Sequence, residues 1–286
     1  MIFNEKYKLS NGIEIPKLGL GTWMISDENV VDAVVQAIKM GYRHIDTAQA
    51  YANEIGVGKG VKASGIPRNE ILVTTKLASE VKSYEGAVAS IEGSLQKLDL
   101  EYIDLMIIHS PKPWANFLES EPYFEGNLAA WKALEEAYQA GRIKAIGVSN
   151  FEIVDLKNIL DNATLKPMVN QILTHISNTP KELIDFCKEQ NILVEAYSPF
   201  GHGELFKNEQ VQAMAAKYKV SVSQLAIRYC LQLGLLPLPK TANPQHMEAN
   251  AAVDFEISES DMLELQNIKT IENYGEHSHF PVFGRV

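Results

Sequence analysis

The chain has 286 residues, of which 46% are hydrophobic and 22% are charged, as in an ordinary soluble globular protein and unlike a disordered, collagen-like or coiled-coil chain. It carries 26 Lys and Arg against 36 Asp and Glu, a formal net charge of −10. An acidic surface repels phosphate backbones, which argues against a nucleic-acid partner. The N-terminus is charged where a signal peptide needs an apolar run, and no apolar run approaches the ~18 residues of a membrane span. We therefore expect a cytoplasmic protein without a membrane partner.

The chain has two cysteines, Cys187 and Cys230, and both fall in stretches with a helical pattern. No C-x-x-C motif occurs, which argues against a disulfide scaffold and against a thiolate zinc site. We expect two buried thiols and no metal centre.

In chain order, the sequence opens with an Asn11-Gly12 turn signal that predicts a β-hairpin. Short aliphatic or β-branched runs then alternate with longer amphipathic runs. The predicted strands are residues 18–21, 44–47, 71–76, 103–109, 143–149, 168–172, 193–197 and 236–239. The predicted helices include residues 29–40, 84–98, 128–140, 152–160 and 181–190. Helix N-caps are predicted at Thr179, Ser221 and Ser258, each with a Glu, Gln or Asp three residues later.

Strands that each precede a helix predict parallel pairing with right-handed crossovers. Two architectures fit eight such units, an open doubly wound sheet or a closed barrel. The open sheet would favour a glycine-rich phosphate turn, but GLGTWM at 19–24 and GVGKG at 56–60 both lack the third glycine. We therefore expect an α/β fold, a (β/α)8 TIM barrel over residues 1–286 as one domain, with the N-terminal hairpin closing the barrel floor.

Polar side chains stand at the predicted C-terminal ends of the strands, where barrel enzymes place their chemistry. Asp46 ends the second strand, Lys76 the third and His109 the fourth, and Tyr51 follows Asp46 by five residues. Alone, each has an ordinary explanation as a helix cap, a solvated charge or a core histidine. Delivered together to one rim, they can move a proton.

The chemistry of this set can be argued from the side chains. A phenol is a weak acid at neutral pH, and a neighbouring ammonium favours the phenolate. Lys76 would have this effect on Tyr51, while Asp46 would hold Lys76 charged and His109 would orient a carbonyl oxygen. Tyr51 would then be a general acid, and because none of these groups is redox-active, a hydride cofactor is implied.

Five segments resemble the aldo-keto reductase family: GYRHIDTAQAYANE at 41–54, TKL at 75–77, GVSNF at 147–151, VNQ at 169–171 and AYSP at 196–199. The resemblance runs from the hairpin to about Asn250. It implies a barrel that binds NADPH without a Rossmann motif, with NADH as the alternative cofactor, and reduces small-molecule aldehydes or ketones. It also implies a catalytic tetrad of Asp46, Tyr51, Lys76 and His109.

The resemblance implies further site residues. In cofactor binding, Ser149, Asn150 and Gln171 would hold the nicotinamide carboxamide, with Thr22 and Asp46 beside the ring. Tyr197 would stack on the ring, and Ser198 and Gly201 would lie in the loop over the pyrophosphate. The adenosine end would be held by Lys240, Thr241, His246 and Asn250. The substrate would contact Trp23, Tyr51, His109 and Trp114.

Several positions depart from the family pattern. His246 stands where an Arg is usual and Ala249 where a Glu is usual, which bears on the choice between NADPH and NADH. Ser110 stands where a Trp usually follows the catalytic His, so the wall of the substrate pocket near the fourth strand differs from the family pattern. Trp114 in the following loop is a candidate to take the place of that Trp. After Gln171, residues 173–175 read LTH. The sequence also contains His277-Ser278-His279, which we interpret as part of a solvated tail, and aromatic residues at 274, 280 and 283 that could form a rim.

Two other functions are weighed against carbonyl reduction. One is a non-catalytic, nucleotide-binding regulatory subunit on the same barrel, which could tolerate loss of tetrad residues. The other is a Schiff-base lyase using Lys76, which needs a deprotonated amine. The sequence is silent on oligomeric state and on the natural substrate.

Overall fold

The computed structural model describes residues 1–283. An antiparallel hairpin comes first, formed by β1 (Lys6–Lys8) and β2 (Glu14–Pro16). The Tyr7 hydroxyl donates to the Leu235 carbonyl at 3.0 Å, and the Asn11 amide donates to the Lys144 carbonyl at 3.0 Å. Both acceptors lie at or just before the N-terminal ends of strands on the main sheet. The hairpin therefore closes the floor of that sheet, as predicted.

Eight parallel strands form the main sheet, and each pairs with its neighbour in chain order. They are β3 (Leu20–Gly21), β4 (His44–Asp46), β5 (Leu72–Leu77), β6 (Ile103–Ile108), β7 (Ile143–Ser149), β8 (Val169–Leu173), β9 (Leu193–Tyr197) and β10 (Leu236–Leu238). The first and last strands meet through Gly21 N, which donates to the Pro239 carbonyl at 3.0 Å, and through Gly19 N, which donates to the Pro237 carbonyl at 3.3 Å. These bonds close the sheet into the predicted (β/α)8 barrel.

In the part of the chain that the structure describes, ten α-helices surround or flank the strands. They are α1 (Asp27–Met40), α2 (Glu54–Ala63), α3 (Tyr84–Leu98), α4 (Phe124–Gln139), α5 (Ile153–Asn162), α6 (Lys181–Glu189), α7 (Glu209–Tyr218), α8 (Val222–Gln232), α9 (Pro244–Ala251) and α10 (Glu259–Gln266). All the predicted strands and helices are present, and the largest displacement is the start of α4, at Phe124 instead of residue 128. Within residues 1–283, no helix is both long and apolar enough to cross a membrane.

Two of the three predicted N-caps are confirmed. Ser221 forms a capping box with Gln224 at the start of α8, and Ser258 accepts from the Asp261 amide at the start of α10. The cap predicted at Thr179 is wrong, because its hydroxyl instead contacts the His175 carbonyl and the Tyr229 hydroxyl. A tertiary hydrogen bond has replaced the local one.

The glycines at 56–60 serve helix packing. A Cβ on Gly56 would lie 2.0 Å from the Asp27 carbonyl oxygen, and one on Gly58 would lie 1.9 Å from the Leu98 carbonyl oxygen. Helix α2 therefore needs glycine to approach α1 and the end of α3. Cys187 on α6 and Cys230 on α8 are free and buried in the apolar core, as predicted.

Candidate active site

The four predicted catalytic residues meet at the C-terminal mouth of the barrel. Asp46 is the last residue of β4, Lys76 lies near the end of β5, and His109 directly follows β6. Tyr51 ends a short 3-10 turn after β4. The sequence brings them together because parallel strands of a closed barrel all end on the same face.

A buried ion pair lies at the centre of the group. Lys76 Nζ is 2.6 Å from Asp46 Oδ2 and also donates to the Thr47 carbonyl at 2.8 Å. The Lys76 side chain is fully buried. Burial works against its charged form, but the Asp46 carboxylate and Tyr51 outweigh burial, and the pKa of Lys76 is raised. Lys76 therefore stays an ammonium, which disfavours the Schiff-base alternative.

Tyr51 lies next to this ammonium. Lys76 Nζ is 4.8 Å from the centroid of the Tyr51 ring. Burial raises the pKa of Tyr51, whereas Lys76 lowers it, and the net direction is upward. The sequence argument predicted the sign of the Lys76 effect but not that burial would exceed it. Tyr51 is consequently a protonated phenol in the resting site, with a cation placed to stabilise the phenolate it would leave.

His109 faces Tyr51, with the two ring centroids 5.8 Å apart. Burial, followed by the charges of Lys76 and Lys82, holds the pKa of His109 well below its ordinary value. Its Nδ1 atom is buried without a hydrogen-bond partner among residues 1–283. A neutral imidazole can donate one hydrogen bond to a bound oxygen without carrying a charge.

A cavity of about 640 Å³ opens above these residues. Its lining includes Asp46, Tyr51 and His109 at the base. The indole of Trp114 packs edge-on against His109 with centroids 5.2 Å apart, and Trp23 also lines the cavity. Trp114 thus lies on the side where Ser110 departs from the family pattern.

The ends of β7, β8 and β9 add a chain of polar contacts to the cavity wall. The Ser149 hydroxyl donates to the Gln171 carbonyl at 2.8 Å, and the Asn150 amide donates to the His109 carbonyl at 3.0 Å. The Tyr197 hydroxyl donates to Asn150 Oδ1 at 2.7 Å. Asn150 adopts a left-handed backbone conformation with φ of 61°, which turns its side chain back toward these partners. These contacts connect the polar side chains along one edge of the cavity to one another.

Other predicted cofactor residues are placed unevenly around this cavity. Lys240 and Ser198 line it, and Ser198 contacts His202 Nε2 at 3.0 Å. Thr22 is fully buried, and its hydroxyl donates to the Asp46 carbonyl at 2.9 Å, which stabilises the end of β4. Gly201 begins the short helix over the cavity with φ of 53°.

Of the residues predicted at the adenosine end, only Lys240 lines the cavity. Thr241 and Asn250 are buried, whereas His246 is exposed on α9. Lys240 is also exposed, at the point where the cavity meets solvent. The structure therefore brings Lys240 to the cavity but leaves His246 and Asn250 outside it.

The C-terminal tail, residues 274–283, covers the mouth. The Tyr274 hydroxyl contacts His175 Nε2 at 3.0 Å, which anchors the start of the tail. Farther along, Phe280 packs against Trp23 with centroids 5.1 Å apart. His279 is exposed, as the interpretation of a solvated tail expects, whereas His277 is half-buried and its ring stacks on His202 with centroids 4.3 Å apart. The tail forms the aromatic rim that the sequence indicated.

Among the residues of this region that the sequence analysis missed, two are ionisable. His202 lines the cavity within the loop after β9. Glu195 is fully buried on β9 and contacts Gln171. The signal for Glu195 was available, because a lone carboxylate interrupts the apolar run of a strand buried on both faces.

Comparison with known proteins identifies the family of the chain. The family model described as Aldo/keto reductase family matches residues 17–270. Glyoxal reductase of Bacillus subtilis is 42% identical over 273 residues, covering 95% of each chain. Aldehyde reductase YPR1 of Saccharomyces cerevisiae is 38% identical over 290 residues, covering 92% of this chain and 90% of the relative. A crystal structure of a Bombyx mori aldo-keto reductase (AKR2E4) in complex with NADP aligns with a TM-score of 0.84 at 32% identity over 98% of each chain. The chain belongs to the aldo/keto reductase family.

Proposed function

We propose that this protein reduces aldehydes or ketones to alcohols by hydride transfer from a nicotinamide cofactor, with Tyr51 as the general acid. The observation that carries the proposal is the contact of Tyr51 with the buried Lys76–Asp46 pair at the base of the cavity. A non-catalytic role would not require all four tetrad residues to converge there.

The residues act on a carbonyl oxygen in the following way. A bound reduced nicotinamide supplies the hydride that reaches the carbonyl carbon. Neutral His109 donates a hydrogen bond that orients the oxygen, and Tyr51 transfers its hydroxyl proton to that oxygen as negative charge develops. The Lys76 ammonium stabilises the resulting Tyr51 phenolate, and Asp46 keeps Lys76 charged and fixed.

We propose the cofactor contacts from the same geometry. Ser149, Asn150 and Gln171 hold the carboxamide, and Tyr197 stacks on the ring. Thr22 and Asp46 are proposed to lie near the ring as well. Farther out, the proposed cofactor contacts are Ser198 and Gly201 at the pyrophosphate, and Lys240, Thr241, His246 and Asn250 at the adenosine. The substrate is proposed to lie between Trp23 and Trp114, above Tyr51 and His109.

The activity can be tested with a panel of aldehydes, diketones and sugar-derived ketones, assayed with NADPH and with NADH. The cofactor's ultraviolet absorbance should fall in a carbonyl-dependent way with several of them. If the protein binds cofactor but reduces no member of the panel, the regulatory alternative is favoured instead.

Tyr197→Ala should weaken cofactor binding about fivefold, since an aromatic contact is worth about 1 kcal/mol. The dissociation constant can be measured by fluorescence titration. Tyr197→Phe is the matched control, because it keeps the ring but removes the hydrogen bond to Asn150. Equal losses in both variants would show that the hydroxyl, and not stacking, supports binding.

We also propose a preference for NADPH, supported by the exposed ammonium of Lys240 at the cavity edge. Lys240→Ala should weaken NADPH binding by about tenfold, the scale of a charge-assisted hydrogen bond, and leave NADH binding almost unchanged. His246→Arg should tighten NADPH binding, because Arg is always charged and offers a bidentate fork to phosphate. NADH is the internal control in both titrations. Parallel changes for the two cofactors would exclude a 2′-phosphate site at these residues.

The domain organisation and the cellular location are also proposals. We propose that the chain forms one domain, supported by a family match that spans 17–270 and a sheet that joins residues 20 and 238. The cytoplasmic location stays a prediction.

A further inference from the structure

Besides Asp46, a second buried carboxyl group, that of Glu195, lies next to the active site. Glu195 is on β9, 0% exposed, with Gln171 of β8 and Leu236 of β10 beside it in register. Its Oε2 accepts from Gln171 Nε2 at 2.7 Å, and the same nitrogen donates to Asp46 Oδ1 at 2.8 Å. One amide group thus serves two carboxyl groups.

The two carboxyl groups are not equivalent in charge. Asp46 has the Lys76 ammonium at 2.6 Å. Glu195 has no ion-pair partner among residues 1–283, and its Oε1 is buried without a hydrogen bond there. An unpaired buried carboxylate is far more costly than a buried carboxylic acid. Glu195 is therefore the member of the pair that holds a proton.

The electrostatics point the same way. Burial and the neighbouring Asp46 carboxylate raise the pKa of Glu195 to about 8, while the Gln171 hydrogen bond and Lys76 oppose this rise. The charged groups that act on Glu195 are Asp46 from β4 and Lys76 from β5, and its register neighbours on β8 and β10 are neutral. Glu195 is thus neutral at pH 7 and ionises at alkaline pH.

The shared amide also determines how Gln171 is oriented. Because the Asp46 carboxylate only accepts hydrogen bonds, the Gln171 NH2 group must point at Asp46 and Glu195. The amide oxygen of Gln171 is then left for the cavity, which Gln171 lines. That oxygen can accept from the amino group of a nicotinamide carboxamide.

We propose that Glu195 is a positioning residue of the nicotinamide site, which holds Gln171 toward the cofactor as a neutral acid and, when ionised, favours the oxidised over the reduced cofactor. This inference rests on the proposed function, since it assumes that nicotinamide binds here. Its physical basis is charge: the oxidised ring is a cation and the reduced ring is neutral. A carboxylate beneath the site attracts only the former.

The sign of the pH effect follows from this difference. As pH rises through the titration of Glu195, NADP+ binding should strengthen relative to NADPH binding. Between pH 6.5 and 9.5, the ratio of the two dissociation constants, NADP+ over NADPH, should fall at least threefold. Tyr51 and Lys76 have raised pKa values, so both titrate higher than their ordinary values. Lys82, with a pKa lowered to about 7, would lose positive charge over the same range.

The experiment compares three proteins, since Lys82 titrates in all of them. Both dissociation constants are measured by titration at five pH values in the wild type, in Glu195→Gln and in Glu135→Gln. Glu195→Gln should make the ratio almost independent of pH, because an amide cannot ionise. Glu135 accepts from the Leu165 amide on the outer helical layer, so Glu135→Gln is the matched control and should retain the wild-type dependence.

A second measurement needs no variant. The infrared band of a buried carboxylic acid should be present in the wild type at pH 7 and disappear by pH 9.5. A pH-independent ratio in the wild type, an unchanged dependence in Glu195→Gln, or an absent acid band would each overturn the role of Glu195 without affecting carbonyl reduction. Failure to bind either cofactor would instead overturn the proposed function.

Discussion

Tyr51→Phe is expected to lower the turnover number by about 10² or more, because general acid catalysis typically contributes 10²–10⁴-fold. Phenylalanine keeps the ring beside Lys76 but has no proton to give to the carbonyl oxygen. Cofactor affinity should be nearly unchanged, so the effect should appear in kcat and not in the cofactor dissociation constant. Steady-state kinetics and a fluorescence titration measure the two quantities.

The matched control for this variant is Tyr84→Phe. Tyr84 begins α3, where its hydroxyl bonds Glu136 at an exposed position. That change should leave turnover within about twofold of wild type, since the residue is exposed at this contact and is not part of the cavity lining. Near wild-type turnover in Tyr51→Phe would remove Tyr51 from the mechanism.

Lys76→Met is expected to affect both turnover and stability. Removing the ammonium leaves the buried Asp46 carboxylate without its cation, and breaking a buried pair in this way costs roughly 3–5 kcal/mol. Tyr51 also loses the charge that stabilises its phenolate, so turnover should fall as far as in Tyr51→Phe. Urea unfolding at pH 7 gives the free energy of unfolding, and turnover is measured on the same preparation.

The double variant Lys76→Met with Asp46→Asn separates the two effects. With no carboxylate left unpaired, much of the lost stability should return, while turnover should stay low. Recovery of turnover together with stability would show that Lys76 acts on the fold alone. A single variant as stable as wild type would mean that Asp46 finds another partner.

The sequence predicted the barrel and the tetrad well because both depend on local patterns. Apolar runs located every strand of the barrel, including residues 143–149 and 193–197 without error. Once the strands were predicted, parallel pairing alone was enough to predict that Asp46, Lys76 and His109 lie together at the C-terminal face of the barrel. Their roles in catalysis stay predictions until the variants are measured.

The features that the sequence could not predict depend on tertiary contacts. The direction of the Tyr51 pKa shift depends on how much protein surrounds the phenol, which a charge argument omits. The stacking of His277 on His202 joins distant segments, and no periodicity encodes it. Glu195 was visible in the sequence, but only its register with Gln171 shows what it contacts.

The GLG segment at 19–21, which resembles half of a phosphate-binding turn, forms the seam where the barrel closes. A Cβ on Gly19 would lie 2.5 Å from a Leu238 methyl carbon, so any larger residue at this position would force the Leu238 side chain to move. The cavity takes Gly21 and Trp23 from one side of this seam, and Leu238 and Lys240 from the other. A fragment that lacks either end of the sheet therefore cannot contain the site. During synthesis the pocket is complete only after the two ends of the sheet have met and the tail up to residue 283, which also lines it, has emerged, which makes ligand binding a test of complete folding.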